Sequence, residues 1–286
     1  MNRLFLYALL LLSGILSSCI TDIDIKSNKN FKPKLVLYCR ISPQLDTTFL
    51  YLTHTVPVFS GNRDSIKVIT NAKVEISDNN KEWHKMEYCP ELKHYYIPQT
   101  NFSIKEGKTY YVKTFAPNYD EVSASCTVPF FRETNLKLIY TEESKPFEGL
   151  PEEFNLLQTL EWKDYPNENN YYMFFKSVFV PTQFVWFACW DYESNYTITS
   201  DEKSDGAILR FPINICDEEE YPFDISMFQL DKHNYLFETS VSKIKDTDMF
   251  LSFLTLEPQQ VYTNIKNGYG LFGAFVKKDY TLEKEE

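Results

Sequence analysis

The chain has 286 residues, 29 Lys+Arg against 40 Asp+Glu for a formal charge of −11, and 20 Tyr and 23 Phe beside only 8 Gly. That length supports a sizeable core in one large or two ordinary domains, and the aromatic load argues against intrinsic disorder. The acidic balance argues against nucleic acid as a partner, because phosphate binding needs clustered Lys and Arg.

The N-terminus reads as a leader. Arg3 supplies the positive start, residues 4–12 form an apolar run too short for a permanent bilayer helix, and Leu16-Ser17-Ser18-Cys19 follows. A small pair between Leu and Cys resembles the lipobox of bacterial lipoproteins. In that class the signal, here residues 1–18, is cut just before the cysteine, whose thiol and new amine are acylated. Cys19 is therefore the expected lipidation site, and several acyl chains give a stable anchor where one does not. Residues 19–34 continue as a polar tether, in which Asp22 and Asp24 resemble the acidic surface-export signal of Bacteroidota lipoproteins. No later segment has the length and apolarity of a membrane helix.

From Leu35 the pattern is period-two and β-branched or aromatic. Strands are expected at 35–42, 47–55, 72–77, 82–88, 94–98, 109–116 and 121–128, separated by turn residues such as Asp78-Asn79-Asn80 and Glu106-Gly107. This spacing describes a sandwich spanning residues 35–130. Within 109–115, Tyr110, Val112 and Thr114 share one face while Tyr111, Lys113 and Phe115 share the other.

Residues 131–286 read as a second β-rich domain. Trp162, the turn Asp164-Tyr165-Pro166-Asn167 and then Tyr171-Tyr172 resemble the start of a fibronectin-type-III-like sandwich. Strands are expected at 171–180, 183–190, 207–213, 248–256 and 270–276, with a polar loop over 194–205. Asp231 is placed to N-cap a helix over 232–245, with Tyr235, Leu236, Thr239 and Ser242 on one side. The expected fold class is mainly β: two sandwich-like domains of immunoglobulin or fibronectin-III type, with one short helix in the C-terminal domain. Beyond Cys19, five cysteines remain, Cys39, Cys89, Cys126, Cys189 and Cys216. Export permits disulfides, the odd number leaves at least one unpaired within the chain, and spacing leaves the pairing open.

The assembled pattern resembles the Bacteroidota lipoprotein family catalogued as domain of unknown function 4249. The resemblance rests on the lipobox, the Leu35-Val36-Leu37 strand, Asn71-Ala72-Lys73-Val74, the signals at Ile104, Gly107, Tyr111, Tyr119 and Val122-Ser123-Ala124, Trp162-x-Asp164 with Asn170-Tyr171-Tyr172, and Asp201 with Asp205-Gly206. Its most specific piece is the segment from Tyr262 to Gly273, Tyr-Thr-Asn-Ile-Lys-Asn-Gly-Tyr-Gly-Leu-Phe-Gly. One departure precedes it: the family usually carries a longer Asn-Pro-Phe-type loop where only Glu257-Pro258 stands here. The resemblance implies an outer-membrane lipoprotein, often encoded beside a TonB-dependent receptor, with no known catalytic residues.

Gly268, Gly270 and Gly273 have a reading of their own. Glycine permits positive φ and close backbone approach, a phosphate cradle would need a following helix, and Leu271-Phe272 with Ala274-Phe275-Val276 reads as strand. A tight turn into a closing strand is the better reading. Elsewhere chemistry is sparse. His54, His84, His94 and His233 form no zinc motif, although neighbouring strands could bring His84 and His94 together. No C-x-x-C, nucleophile elbow or Walker loop appears. Asp201-x-x-x-Asp205-Gly206 resembles part of a calcium loop but lacks the alternating ligands and closing Glu of an EF-hand, and reads as a polar turn. No enzyme, metal or cofactor is expected. The aromatic strand at 183–190 is the one binding hint: Trp186, Trp190 and Tyr192 are the candidate ligand- or partner-binding residues. The favoured expectation is a lipid-anchored, surface-facing accessory of a TonB-dependent outer-membrane transporter. The alternatives are a free-standing carbohydrate- or peptide-binding module and a structural or adhesive envelope protein.

Overall fold

The first half follows the alternation of its apolar residues. In β1 (Leu35–Ile41), Leu35, Leu37, Cys39 and Ile41 are buried, and β2 (Thr47–His54) pairs with it antiparallel. β3 (Lys73–Ser77), β4 (His84–Cys89), β5 (His94–Pro98), β6 (Thr109–Phe115) and β7 (Val122–Thr127) complete the seven expected strands. β6 buries Tyr110, Val112 and Thr114, one of the two faces set by its alternation. β4 changes partner midway: Met86 lies opposite Val74 of β3, while the next residue, Glu87, lies opposite Tyr96 of β5. The sheet thus folds over one apolar cluster, which Leu37, Leu52 and Ile97 enter from β1, β2 and β5 and Ile76, Val112 and Cys126 from β3, β6 and β7.

The computed structural model describes residues 31–57, 67–144, 154–176, 196–202, 204–213, 223–246 and 260–282. In the second half, β8 (Lys137–Ser144), β9 (Phe154–Lys163) and β12 (Ile208–Ile213) form a separate three-stranded sheet in the order β12-β9-β8. β10 (Tyr171–Lys176), β11 (Tyr196–Ser200), β13 (Phe223–Leu230) and β14 (Tyr269–Leu282) join the first seven strands in one sheet, ordered β11-β10-β13-β14-β1-β2-β5-β4-β3-β6-β7. The expected boundary near residue 130 falls between β7 and β8, and the large sheet continues across it through the parallel pair β1–β14. The molecule is mainly β, with one helix among the described residues, α1 (Lys232–Asp246). No described helix is long and apolar enough to cross a membrane.

Two further clusters lie on opposite faces of β10 and β13. On one face, Tyr172, Phe174 and Met227 meet Leu138, Leu160, Trp162 and Leu209 of the three-stranded sheet. Trp162 packs on Tyr172 and Phe174, with ring centroids 5.2 and 4.8 Å away. Trp162 and Tyr172, singled out together in the sequence, thus meet across the two sheets. On the other face, Tyr171, Met173, Phe228, Leu230 and Phe275 pack with Tyr235 of α1.

Asp231 caps α1 as expected: its Oδ1 accepts from the Asn234 N–H (3.2 Å) and its Oδ2 from the His233 N–H (3.3 Å). The buried stripe differs from expectation. Asn234, Phe237 and Glu238 are buried, while Tyr235, Leu236, Thr239 and Ser242 are only partly so. The reason is ionic: Glu238 turns inward to pair with Arg40 of β1 and accepts the Tyr196 hydroxyl at 3.2 Å. Two other expectations change. Residues 196–200 form strand β11, because Tyr-Thr-Ile-Thr-Ser is β-branched and pairs along β10. Strand β13 was not expected beside the acidic run that precedes it. The expected strands at 183–190 and 248–256 lie outside the described residues.

The glycine-rich segment makes the turn into a closing strand. Gly270 has φ +108° and lies opposite Leu37, so close that an added Cβ would sit 1.9 Å from the Leu37 carbonyl oxygen. Asn264 imitates a strand neighbour: its amide accepts from the Phe272 N–H (3.0 Å) and donates to the Phe272 carbonyl (2.8 Å) and to the Ser125 carbonyl (3.2 Å).

Candidate functional site

The sheet architecture places two crossovers side by side. The chain leaves the small sheet at Lys163 and enters the large one at Tyr171; it leaves the large sheet at Ser200 and returns to the small one at Ile208. Residues 164–170 and 201–207 are these crossovers. Both are built from turn formers, Asp-Tyr-Pro-Asn in the first and Asp-x-x-x-Asp-Gly in the second, with Asn167 at φ 65° and Gly206 at φ 71°.

Three carboxylates meet between them. One ligand-capable oxygen from each of Asp164, Asp201 and Asp205 lies within 4.8 Å of the others. Asp164 and Asp201 are buried, at 2% and 1% exposure, and Asp205 is exposed. Tyr172 donates its hydroxyl to Asp164 Oδ1 (2.7 Å), and the Gly206 N–H donates to Asp164 Oδ2 (2.9 Å). The Asn170 N–H donates to Asp201 Oδ2 (2.8 Å), and the Asn167 N–H to Asp205 Oδ1 (2.8 Å). The Asn170 side-chain nitrogen lies 3.0 Å from Asp201 Oδ2 and 3.3 Å from Asp164 Oδ1, with the carbonyls of Tyr165 and Glu168 at 3.4 and 3.5 Å. Burial pushes the Asp201 carboxyl above the usual carboxylate range, and the neighbouring Asp164 charge pushes it further, against the bonds from Asn170. Tyr172 is likewise raised, first by burial and then by its bond to Asp164. The donor set is all oxygen, the kind that holds a hard divalent cation.

A second concave feature lies at the start of α1. A shallow cleft of about 250 Å³ is lined by Ser125, Thr127, Tyr171, Asp231 and His233, among others. Burial raises Asp231 to about 6, opposed by N–H bonds from Ala274, Asn234 and His233 and by the Arg40 charge. His233 is lowered by burial and by Lys232, and its Nδ1 lies 2.7 Å from the Tyr262 hydroxyl. Cys126 also lines the cleft, and among the described residues no hydrogen bond joins the Ser125, Cys126 or Thr127 side chain to Asp231 or His233.

The residues singled out in the sequence are distributed as follows. Cys19, Trp186, Trp190 and Tyr192 lie outside the described residues. His84 and His94 occupy opposite ends of the β4–β5 hairpin: His94 pairs with Cys89 beside the turn and packs on Tyr51, while His84 begins β4 and packs on Phe102. Cys39, Cys89 and Cys126 are free thiols, and burial raises the pKa of Cys39 and Cys126. Sequence reasoning found Asp201 and Asp205 but did not join Asp164 to them. The available signal was that both Asp-rich turns abut predicted strands.

Residues 20–281 match the family model described as Domain of unknown function (DUF4249). The chain belongs to this family. The match takes in both Asp-rich crossovers and the closing glycine-rich segment. A search of curated proteins finds no match.

Proposed function

We propose that the protein is a Bacteroidota outer-membrane lipoprotein, acylated on Cys19, that serves as a non-enzymatic accessory of a TonB-dependent outer-membrane transporter. The observation that carries this reading is Leu16-Ser17-Ser18-Cys19 at the end of a short apolar leader. Lipidation there puts the folded chain on a membrane, and Asp22 and Asp24 favour the cell surface as its destination. Family membership supports the same reading through the resemblance already described. The β-rich body then acts by binding a partner barrel or its cargo.

The test is a mild-detergent pull-down of the tagged chain from outer membranes, read by mass spectrometry. Stoichiometric recovery of a TonB-dependent barrel is expected, and Cys19→Ala abolishes both fatty-acid labelling and recovery in the membrane fraction. A chain that comes down alone after mild crosslinking overturns the accessory role. An unlabelled wild-type chain overturns the anchor.

A further inference from the structure

The two crossovers between the sheets pose a charge problem. Asp164 and Asp201 are both buried and lie beside each other, with Asp205 closing the group. Among the described residues no Lys or Arg forms an ion pair with any of the three. Adjacent buried carboxylates repel strongly when both are ionised, because the surrounding dielectric is low. Something must neutralise them.

An independent observation shows where the neutralising group sits. Asp201 is 1% exposed, its Oδ2 takes both hydrogen bonds from Asn170, and its Oδ1 is buried with no hydrogen-bond partner. An orphaned carboxylate oxygen in a packed turn is costly, and Asp201 is one of the three residues whose carboxylates come within 4.8 Å of one another. Around the same point the Asn170 amide nitrogen faces four oxygens, Asp164 Oδ1, Asp201 Oδ2 and the carbonyls of Tyr165 and Glu168. An NH2 group has two hydrogens to give, so these oxygens exceed what the amide serves.

The geometry points to a calcium site: we infer that Asp164, Asp201 and Asp205 bind one Ca²⁺ that clamps the two crossovers together. The chemistry selects this ion. Carboxylate and carbonyl oxygens without His or Cys favour hard cations over zinc or copper. Oxygens on opposite sides of a Ca²⁺ stand about 5 Å apart, and the three carboxylates offer oxygens within 4.8 Å of one another, close enough to share one ion. Three carboxylates leave room for water in a sphere of six to eight. Mg²⁺ fits less well, since it demands a tighter octahedron and keeps most of its water. The ion would hold β9 to β10 and β11 to β12, fixing the three-stranded sheet against the large one at the cluster around Trp162 and Tyr172.

The test uses the purified full chain in mild detergent, stripped with EDTA. Calorimetry with Ca²⁺ should show one site, with Kd in the micromolar to millimolar range typical of such loops. The melting temperature should rise by roughly 5–10 °C at about a hundred times Kd. Tb³⁺ in the same site should luminesce on excitation of Tyr172, whose hydroxyl lies 2.7 Å from Asp164 Oδ1, and Ca²⁺ should quench that signal by displacement. Asp205→Asn, at an exposed position, should fold and bind at least tenfold more weakly. Asp201→Asn should melt no lower than the stripped wild type, because it removes repulsion, and should lose the calcium-dependent rise. No heat, no luminescence and no shift at tens of millimolar Ca²⁺ would overturn the site in favour of a shared proton. Binding of equal strength in both variants would overturn it by placing the ion elsewhere.

Discussion

Replacing Gly270 by Ala tests whether the closing strand depends on its glycine. In the parallel β1–β14 pair Gly270 lies opposite Leu37 with φ +108°. A Cβ there would stand 1.9 Å from the Leu37 carbonyl oxygen and 2.8 Å from its carbonyl carbon, so the strands must part by at least about 1.1 Å to reach the 3.0 Å that real Cβ atoms keep. That movement exceeds the spread of a good N–H···O bond, so about two ladder bonds near Leu37 are lost, each worth roughly 1 kcal/mol net. Holding alanine at this φ adds roughly 1–3 kcal/mol. The expected loss is therefore about 3–5 kcal/mol, a large share of an ordinary domain's 5–15 kcal/mol. Urea unfolding of the full chain followed by circular dichroism should show the midpoint fall by roughly 1–2 M with m unchanged. Gly273→Ala serves as the control, since its Cβ would meet the Asn234 Cβ at 3.0 Å with no positive φ to maintain; its loss should stay near 1 kcal/mol, as for modest overpacking. If Gly270→Ala unfolds within about 0.5 kcal/mol of wild type, the strain calculation is wrong.

Three further outcomes are expected. Glu238→Ala takes the carboxylate from buried Arg40 and should cost about 3–5 kcal/mol by urea titration, whereas a double change to Arg40→Met with Glu238→Leu should recover most of it; equal losses in both would show that the charges matter little. Because Asp231 is raised from 3.8 to about 6 in the fold, the folded state binds the extra proton between those values. Its contribution is fully present below about 3.8 and is lost as pH rises from there through about 6, so wild type should gain on Asp231→Asn by about 2 kcal/mol between pH 7 and pH 4; a pH-independent difference in melting would refute the burial argument. Finally, among Cys39, Cys89 and Cys126, only half-exposed Cys89 should label with iodoacetamide in the folded chain at pH 8, since the other two thiols are buried and their pKa is raised; labelling of Cys39 or Cys126 before unfolding, read by peptide mass spectrometry, would contradict the packing.

Much of the fold is written locally. β1 and β6 bury alternate residues because a strand side chain has only two faces to choose from, and Asp231 caps α1 because its carboxylate reaches the first free N–H groups without help from elsewhere. The glycine-rich segment is legible for the same reason: three glycines beside apolar residues announce a close approach. By contrast, the face that α1 buries is set by Arg40, nearly two hundred residues away in the chain, and β13 is defined by the partners on either side of it. The carboxylate cluster shows the division most clearly. The sequence by itself determines that a turn rich in Asp and Asn precedes β10 and that an Asp-Gly turn precedes β12. Only the tertiary structure decides that those turns are neighbours, because β9 with β12 and β10 with β11 lie in different sheets that pack through Trp162, Tyr172 and Phe174. Periodicity records which way a side chain faces, and long-range packing decides what it meets there.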